Sequence, residues 1–264
     1  MMKKAALLVL LITVAVLFKV EIVKAESGGD LIEKDMFDTS LTVDYGIRKM
    51  TEKYQKSSVG GVVTVSSKSE INDYNKTEKP SFTSAIYSAK FTYGITDYLN
   101  FFVNAGTIID EFKDADDIAK SEAGMYGGGG LRAGYKFPIG FYFAGTGIFN
   151  MGRASHYGFD NIRESKNNIY EWEGNLILGY DIRVTQSFRI IPYLGGRYSD
   201  RYSKFEVTYA NSTYEYAEFW SKTKFGGFGG MEFRLTKQLS FKAEVGLGDK
   251  TGFGAALTYR FGIE

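Results

Sequence analysis

The chain has one histidine, His156, and it follows Ser155. A serine and a histidine make an acyl-transfer pair when their side chains meet and an acidic group orients the ring. Neighbours in an extended chain point to opposite faces, and the spacing fixes no Asp or Asn beside this pair. His156 therefore reads as a lone histidine in a polar loop, residues 151–168. Six carboxylates, Asp110, Glu111, Asp114, Asp116, Asp117 and Glu122, crowd a second stretch. Counted from Asp114, a calcium loop needs an oxygen ligand at its fifth place and glycine at its sixth. Ile118 and Ala119 stand there, so a solvated acidic loop is expected, with divalent-cation bridging as the alternative. The glycines at 127–130 precede no Lys-Ser/Thr pair and open no helix, so they suit strand approach or bending rather than phosphate binding. Tyr198, Tyr202, Tyr209, Tyr214, Tyr216 and Trp220 form an aromatic cluster, read as an interfacial girdle, with a ligand-contact surface as the alternative. There is no cysteine, hence no thiolate and no disulfide framework. No catalytic, cofactor-binding or metal site is expected, and no cofactor.

The remaining charges fall inside a pattern. Gly252 to Phe261 places Phe253, Ala255, Leu257, Tyr259 and Phe261 on one face, with Gly254, Ala256, Thr258 and Arg260 on the other. A period of two is a β-strand with one apolar face. The same alternation recurs from Thr39 to Arg48 and repeatedly from Phe82 onward. Mid-strand charges Lys90, Arg132, Glu173, Lys242 and Glu244 sit opposite the apolar face. Arg197, Glu232, Asp44, Glu171, Asp181, Lys136, Arg183, Lys222, Lys224 and Arg234 are assigned to the same polar face. Pro192 interrupts one strand and predicts a local bulge. Short turns are expected at 96–98, 138–140, 185–187 and 236–238. Longer polar stretches lie at 50–80, 109–123, 151–168 and 200–217. The first contains a strand-like segment, and the last is read as a hairpin with its tip near Asn211.

Lys3 and Lys4 precede an uncharged run from Ala5 to Phe18, and Val23-Lys24-Ala25 suits signal peptidase. Residues 1–25 are expected to be a secretory signal peptide, residues 26–38 a flexible lead, and residues 39–264 one β domain. Removing residues 1–25 leaves 28 basic against 30 acidic side chains, a net charge of −2, which argues against a nucleic-acid partner. Beyond the signal no stretch approaches the length of a membrane helix. Glycine, tyrosine and phenylalanine are abundant (31, 19 and 21), while proline is scarce (3), which favours many strands.

Short turns at one end and long connections at the other are the pattern of membrane barrels, in which the apolar face meets lipid and the polar face lines the lumen. A soluble sandwich also accommodates the alternation but not this asymmetry. The expected fold is an all-β, transmembrane, antiparallel up-and-down barrel of ten strands, with eight or twelve as alternatives. The final strand, with Leu257, Tyr259 and then Phe261, resembles the C-terminal assembly signal of bacterial outer-membrane barrels, although Gly262, Ile263 and Glu264 follow the Phe. The chain from 39 onward resembles the small outer-membrane β-barrel proteins of the broad OmpA-like transmembrane-domain kind, without their periplasmic domain. That resemblance implies location in the bacterial outer membrane as a monomer. It also implies contact with outer-membrane lipid and lipopolysaccharide, and recognition by the barrel assembly machinery through Leu257, Tyr259 and Phe261. A barrel protease like the omptins needs an Asp two residues before its histidine; Ala154 occupies that place. A structural or surface-interaction barrel with a polar, largely closed lumen is expected. A narrow, anion-leaning channel is the alternative, and an enzyme the weakest reading. The expected interior network is Lys90, Arg132, Glu173, Arg197, Glu232, Lys242 and Glu244. A hairpin symmetric about Lys237 places Glu232 opposite Lys242.

Overall fold

The computed structural model describes residues 34–59, 62–67, 81–114, 117–157, 162–209 and 214–262. The expected signal peptide, most of the lead, residues 68–80 and the tip near Asn211 lie outside them. The described chain is one antiparallel sheet of fourteen segments. These are β1 (Met36–Val59), β2 (Val62–Ser67), β3 (Ser81–Thr96), β4 (Leu99–Asp114), β5 (Asp117–Ser121), β6 (Gly124–Lys136) and β7 (Phe141–Tyr157). They continue with β8 (Ile162–Tyr180), β9 (Ile182–Arg183), β10 (Arg189–Tyr209), β11 (Tyr214–Ser221), β12 (Phe225–Arg234), β13 (Leu239–Leu247) and β14 (Thr251–Gly262). Sequential strands pair, and β1 closes the ring by pairing with both β3 and β14. Ten strands complete that ring: β1, β3, β4, β6, β7, β8, β10, β12, β13 and β14. The fold is that of a closed up-and-down barrel.

Burial distinguishes a membrane barrel from a soluble one. Outward side chains are large and exposed: Leu176 at 72%, Phe225 at 73% and Leu247 at 64%. Inward ones are polar and buried, with Glu232 at 3% and Arg234 at 5%. Such an inside-out distribution requires lipid outside. Three of the four short turns begin with a threonine whose hydroxyl accepts backbone N–H bonds. Thr96 accepts from Tyr98, Thr185 from Ser187 and Phe188, and Thr236 from Gln238 and Leu239. These local bonds compete with the ladder and turn the chain.

Four expectations are corrected. The stretches taken as long loops are largely wall. β1 runs on to Val59 and pairs with β2, β4 reaches Asp114 before returning as β5, β7 reaches Tyr157, and β10 and β11 form the anticipated hairpin. Beyond the lipid belt the outside faces water, so charged outward residues fit a strand there as well as a loop. Pro192 causes no bulge. The register with β8 and β9 is the same on either side, Ile190↔Ile182 and Tyr193↔Gly179, and the ladder simply skips the proline. Lys222 and Lys224 do not line the lumen: Lys222 is exposed, and Lys224 pairs with Asp200 at 2.6 Å on the outer face. Arg183 stands opposite Arg189 on the inward face, exposed at the turn end of the wall. In the break at residues 222–224 between β11 and β12 the chain leaves the strict alternation that assigned the two lysines inward. β1 also begins at Met36, inside the expected lead.

The wall changes strand number with height. β13 and β14 end in a tip at Gly248–Lys250, well short of their neighbours. Above that tip β11 pairs directly with β1, from Met50↔Ser221 to Ser58↔Tyr214, while still pairing with β10. β5 replaces β6 between β4 and β7. Among the described residues, ten strands therefore become eight: β1, β3, β4, β5, β7, β8, β10 and β11. An eight-stranded interior is just wide enough for side chains to fill.

Candidate functional site

The lumen is built in layers. At the turn end, Glu232 accepts two bonds from Arg234, both at 3.1 Å. Asp181 accepts from Lys136 at 2.5 Å and Arg189 at 3.1 Å. Ser40 and Thr258 share a bond of 2.8 Å. Glu232 stands directly opposite Lys242, as the hairpin symmetry predicts.

Above this layer lies a cavity of about 240 Å³. Six of the seven predicted interior residues line it: Lys90, Arg132, Glu173, Arg197, Lys242 and Glu244. Arg132 donates to Thr146 at 3.0 Å, Asn175 donates to Glu173 at 2.6 Å, and the Tyr193 hydroxyl donates to Glu244 at 3.0 Å. Lys242 pairs with Glu244 at 3.4 Å and lies over the Tyr193 ring at 4.7 Å. The seventh, Glu232, belongs to the layer below. Charges of both signs thus meet partners inside the wall, where an unpaired charge is costly.

The β13–β14 tip forms one side of this cavity and is tied at two points. Arg197 on β10 grips Asp249 through two bonds, 2.9 and 3.2 Å, and Lys250 pairs with Asp44 on β1. Asp249 is 2% exposed. Glycine makes this possible. A Cβ at Gly46 would strike the Lys250 stem, and one at Gly226 would strike the Asp249 carboxylate. Gly248 has φ of 103°, which suits glycine.

Higher still, within the eight-stranded part, is a buried polar layer that the sequence reading did not assemble. Arg48 donates to Glu171 at 2.5 Å. Arg201 donates to Asp110 at 3.0 Å and to Ser84 at 2.8 Å, and Ser84 and Asn167 donate to Asp110 at 2.5 and 2.9 Å. Asp110 and Asn167 are fully buried. Asp110 is therefore no part of an acidic loop; only Glu111, facing out near Lys120 at 3.8 Å, keeps that character among the two. Asp116 lies outside the described residues. Above and around this layer, Met50, Phe82, Phe112, Phe205, Val207 and Phe219 pack into a buried cluster inside the barrel. Phe82, Phe112 and Phe219 touch edge to face or tilted, at 4.9 to 5.6 Å. Arg201 sits over the Phe82 ring at 5.2 Å.

His156 is on β7, not in a loop, and is 6% exposed. Its ring meets Phe205 edge-on at 5.0 Å, and neither ring nitrogen has a hydrogen-bond partner among the described residues. Burial lowers its pKa from 6.5 to about 4; Asp110 pulls it up and Arg201 pushes it down. Ser155 faces the opposite way and is exposed. The signal for this whole layer was present but unread: Ser199, Arg201, Ser203, Phe205 and Val207 keep a period of two beyond the point where outward residues stop being apolar.

Leu257, Tyr259 and Phe261 all face outward on β14; Phe261 stacks on Phe37 at 5.7 Å. The glycines at 127–130 lie on β6, where a Cβ at Gly130 would strike the backbone of Gly147 and the Phe102 ring. The strands there approach as closely as the composition suggests.

No protein-family model matches the sequence, and no curated protein is significantly similar to it. Solved structures do match in fold. The translocator domain of the autotransporter NalP from Neisseria meningitidis aligns with a TM-score of 0.50 at 10% identity, covering 89% of this chain and 90% of that one. The outer-membrane protein OprG from Pseudomonas aeruginosa covers 89% and 100% at 11% identity, with a TM-score of 0.43. The outer-membrane protease OmpT from Escherichia coli covers 84% and 97% at 8% identity, with a TM-score of 0.45. The chain has the fold of the outer-membrane β-barrels, on its own lipid-facing belt and closed ring and on the NalP alignment.

Proposed function

We propose that this barrel acts at the cell surface, presenting its eight-stranded extension outside the membrane, rather than passing solutes along its axis. One observation carries this reading: the extension is packed as a protein interior. Met50, Phe82, Phe112, Phe205, Val207 and Phe219 form a buried apolar cluster inside it, above the Arg201–Asp110 layer. Packed side chains leave few voids larger than a water molecule. The refolded mature protein in planar bilayers is expected to give no large, stable conductance. Steady ohmic current from the intact protein would overturn the reading. The narrow-channel alternative draws support from the mid-lumen cavity and its charged lining; under it, small anions carry the current, and reversal potentials in a salt gradient identify them.

A further inference from the structure

The aromatic cluster expected to be a girdle is not one. A girdle rings the barrel at one height. Here the rings climb one side of it. At the foot are Trp172, Tyr198 and Phe225, exposed by 60%, 40% and 73%, within the lipid-facing belt. The next row is Tyr170, Tyr202 and Trp220, which face one another across β8, β10 and β11 in register. Tyr170 stacks on Tyr202 at 6.0 Å, and Tyr202 meets Trp220 at 4.7 Å. Tyr216 and Tyr214 continue upward on β11, 6.1 Å apart. At comparable heights on β3, β4, β5 and β7 the described outward side chains include Thr83, Glu111, Lys113, Lys120, Arg153 and Ser155, with Ile109 and Met151 apolar among them and no aromatic ring.

Polar groups are interleaved with the rings. Tyr202 hydrogen-bonds with Glu218, and Tyr214 with Glu206. Lys204 pairs with Glu206 at 2.7 Å and lies over the Tyr216 ring at 4.9 Å. Aromatic faces alternating with carboxylates and an ammonium suit a ligand that is apolar on its ring faces and hydroxylated at its edges. A sugar has that chemistry; an acyl chain offers nothing to the charges. Glu206 and Glu218 outnumber Lys204 among the charges named on the stripe, and this net negative set favours sugar over phosphate. The stripe is continuous with the lipid-facing belt, so its occupant is rooted in the same leaflet.

We propose that this stripe binds the saccharide part of an outer-leaflet glycolipid. The inference depends on the membrane placement and is independent of whether the lumen conducts. The chain has two tryptophans, Trp172 and Trp220. Trp172→Phe leaves Trp220 as sole reporter in the stripe. The full mature protein, refolded in detergent, is titrated with lipopolysaccharide bearing its core sugars, with the same lipid stripped of core sugars, and with the released soluble saccharide. Trp220 emission is expected to shift saturably with the complete glycolipid, about tenfold more tightly than with either part. Equal affinity for the stripped lipid would overturn the proposal, since tails and phosphates would then suffice. Equal affinity for the free saccharide would overturn the assignment to a membrane lipid. Tyr202→Ser and Tyr216→Ser are expected to weaken binding about tenfold each, and Lys120→Ser to leave it unchanged. Gel mobility before and after boiling verifies that each variant is folded, and the three-ligand comparison carries only the conservative Trp172→Phe change, common to all three titrations.

Discussion

Replacing Asp110 by Asn tests whether the outer extension is held as a protein core. Asp110 is fully buried and accepts from Arg201, Ser84 and Asn167. Asn keeps the shape and removes the charge. Arg201, 4% exposed, then keeps only neutral partners in contact, the Asn oxygen and the hydroxyls of Ser84 and Ser203 at 2.8 and 3.2 Å. Leaving one member of a buried pair uncompensated costs about 3–5 kcal/mol. At about 1.4 kcal/mol per factor of ten, local opening becomes roughly 100- to 4,000-fold more frequent. No lipid supports this part of the wall, so the loss is expected there and not in the belt. Amide hydrogen exchange of the refolded protein in vesicles reads it directly: β10 amides from 201 to 207 lose protection, while those at 193–197 keep it. The double variant Asp110→Leu with Arg201→Met is expected to recover most of the loss, because a buried pair replaced by apolar groups is often neutral. Exchange in β10 unchanged by Asp110→Asn, or a double variant worse than the single one, would refute the reasoning.

Three further outcomes are expected. Arg197→Met removes both bonds that hold Asp249, and is expected to cost about 3–5 kcal/mol, seen as a lower temperature for loss of the folded gel band; Lys34→Gln, which breaks only an exposed pair, is expected to change it by ~0–1 kcal/mol. His156 is neutral when folded. Its folded pKa of about 4 lies below 6.5, so its contribution is complete above pH 6.5 and is lost as pH falls towards 4, a difference on the order of 3 kcal/mol. Exchange in the outer halves of β7 and β10 is expected to quicken over that window in the parent and much less in His156→Phe, and identical pH profiles would count against the buried neutral ring. Phe261→Ser, which removes an outward ring stacked on Phe37, is expected to impair membrane insertion in cells more than Thr258→Ser, which retains the inward hydroxyl beside Ser40; equal insertion of the two variants would contradict the assembly role of the last strand.

Within the lipid belt, amino-acid order alone determined nearly everything. A strand with lipid on one side and a polar lumen on the other must alternate, so Tyr87 to Ile95, Tyr170 to Ile182 and Phe253 to Phe261 declare both their strands and their faces. Threonine at the head of the short turns places the hairpins, and symmetry about Lys237 sets Glu232 against Lys242. What the sequence could not decide was where the solvent changes. Above the belt both faces of the wall are chemically mixed, because water outside accepts Lys204, Glu206 or Glu111 in a strand as readily as in a loop. Only closure of the ring shows that Phe82, Phe112, Phe205 and Phe219, far apart in sequence, share one interior, and that Asp110 and Arg201, 91 residues apart, are partners. The step from ten strands to eight is a tertiary fact for the same reason. It follows from the early end of the β13–β14 hairpin and from the β11–β1 pairing above it, a contact between distant segments that no local pattern encodes.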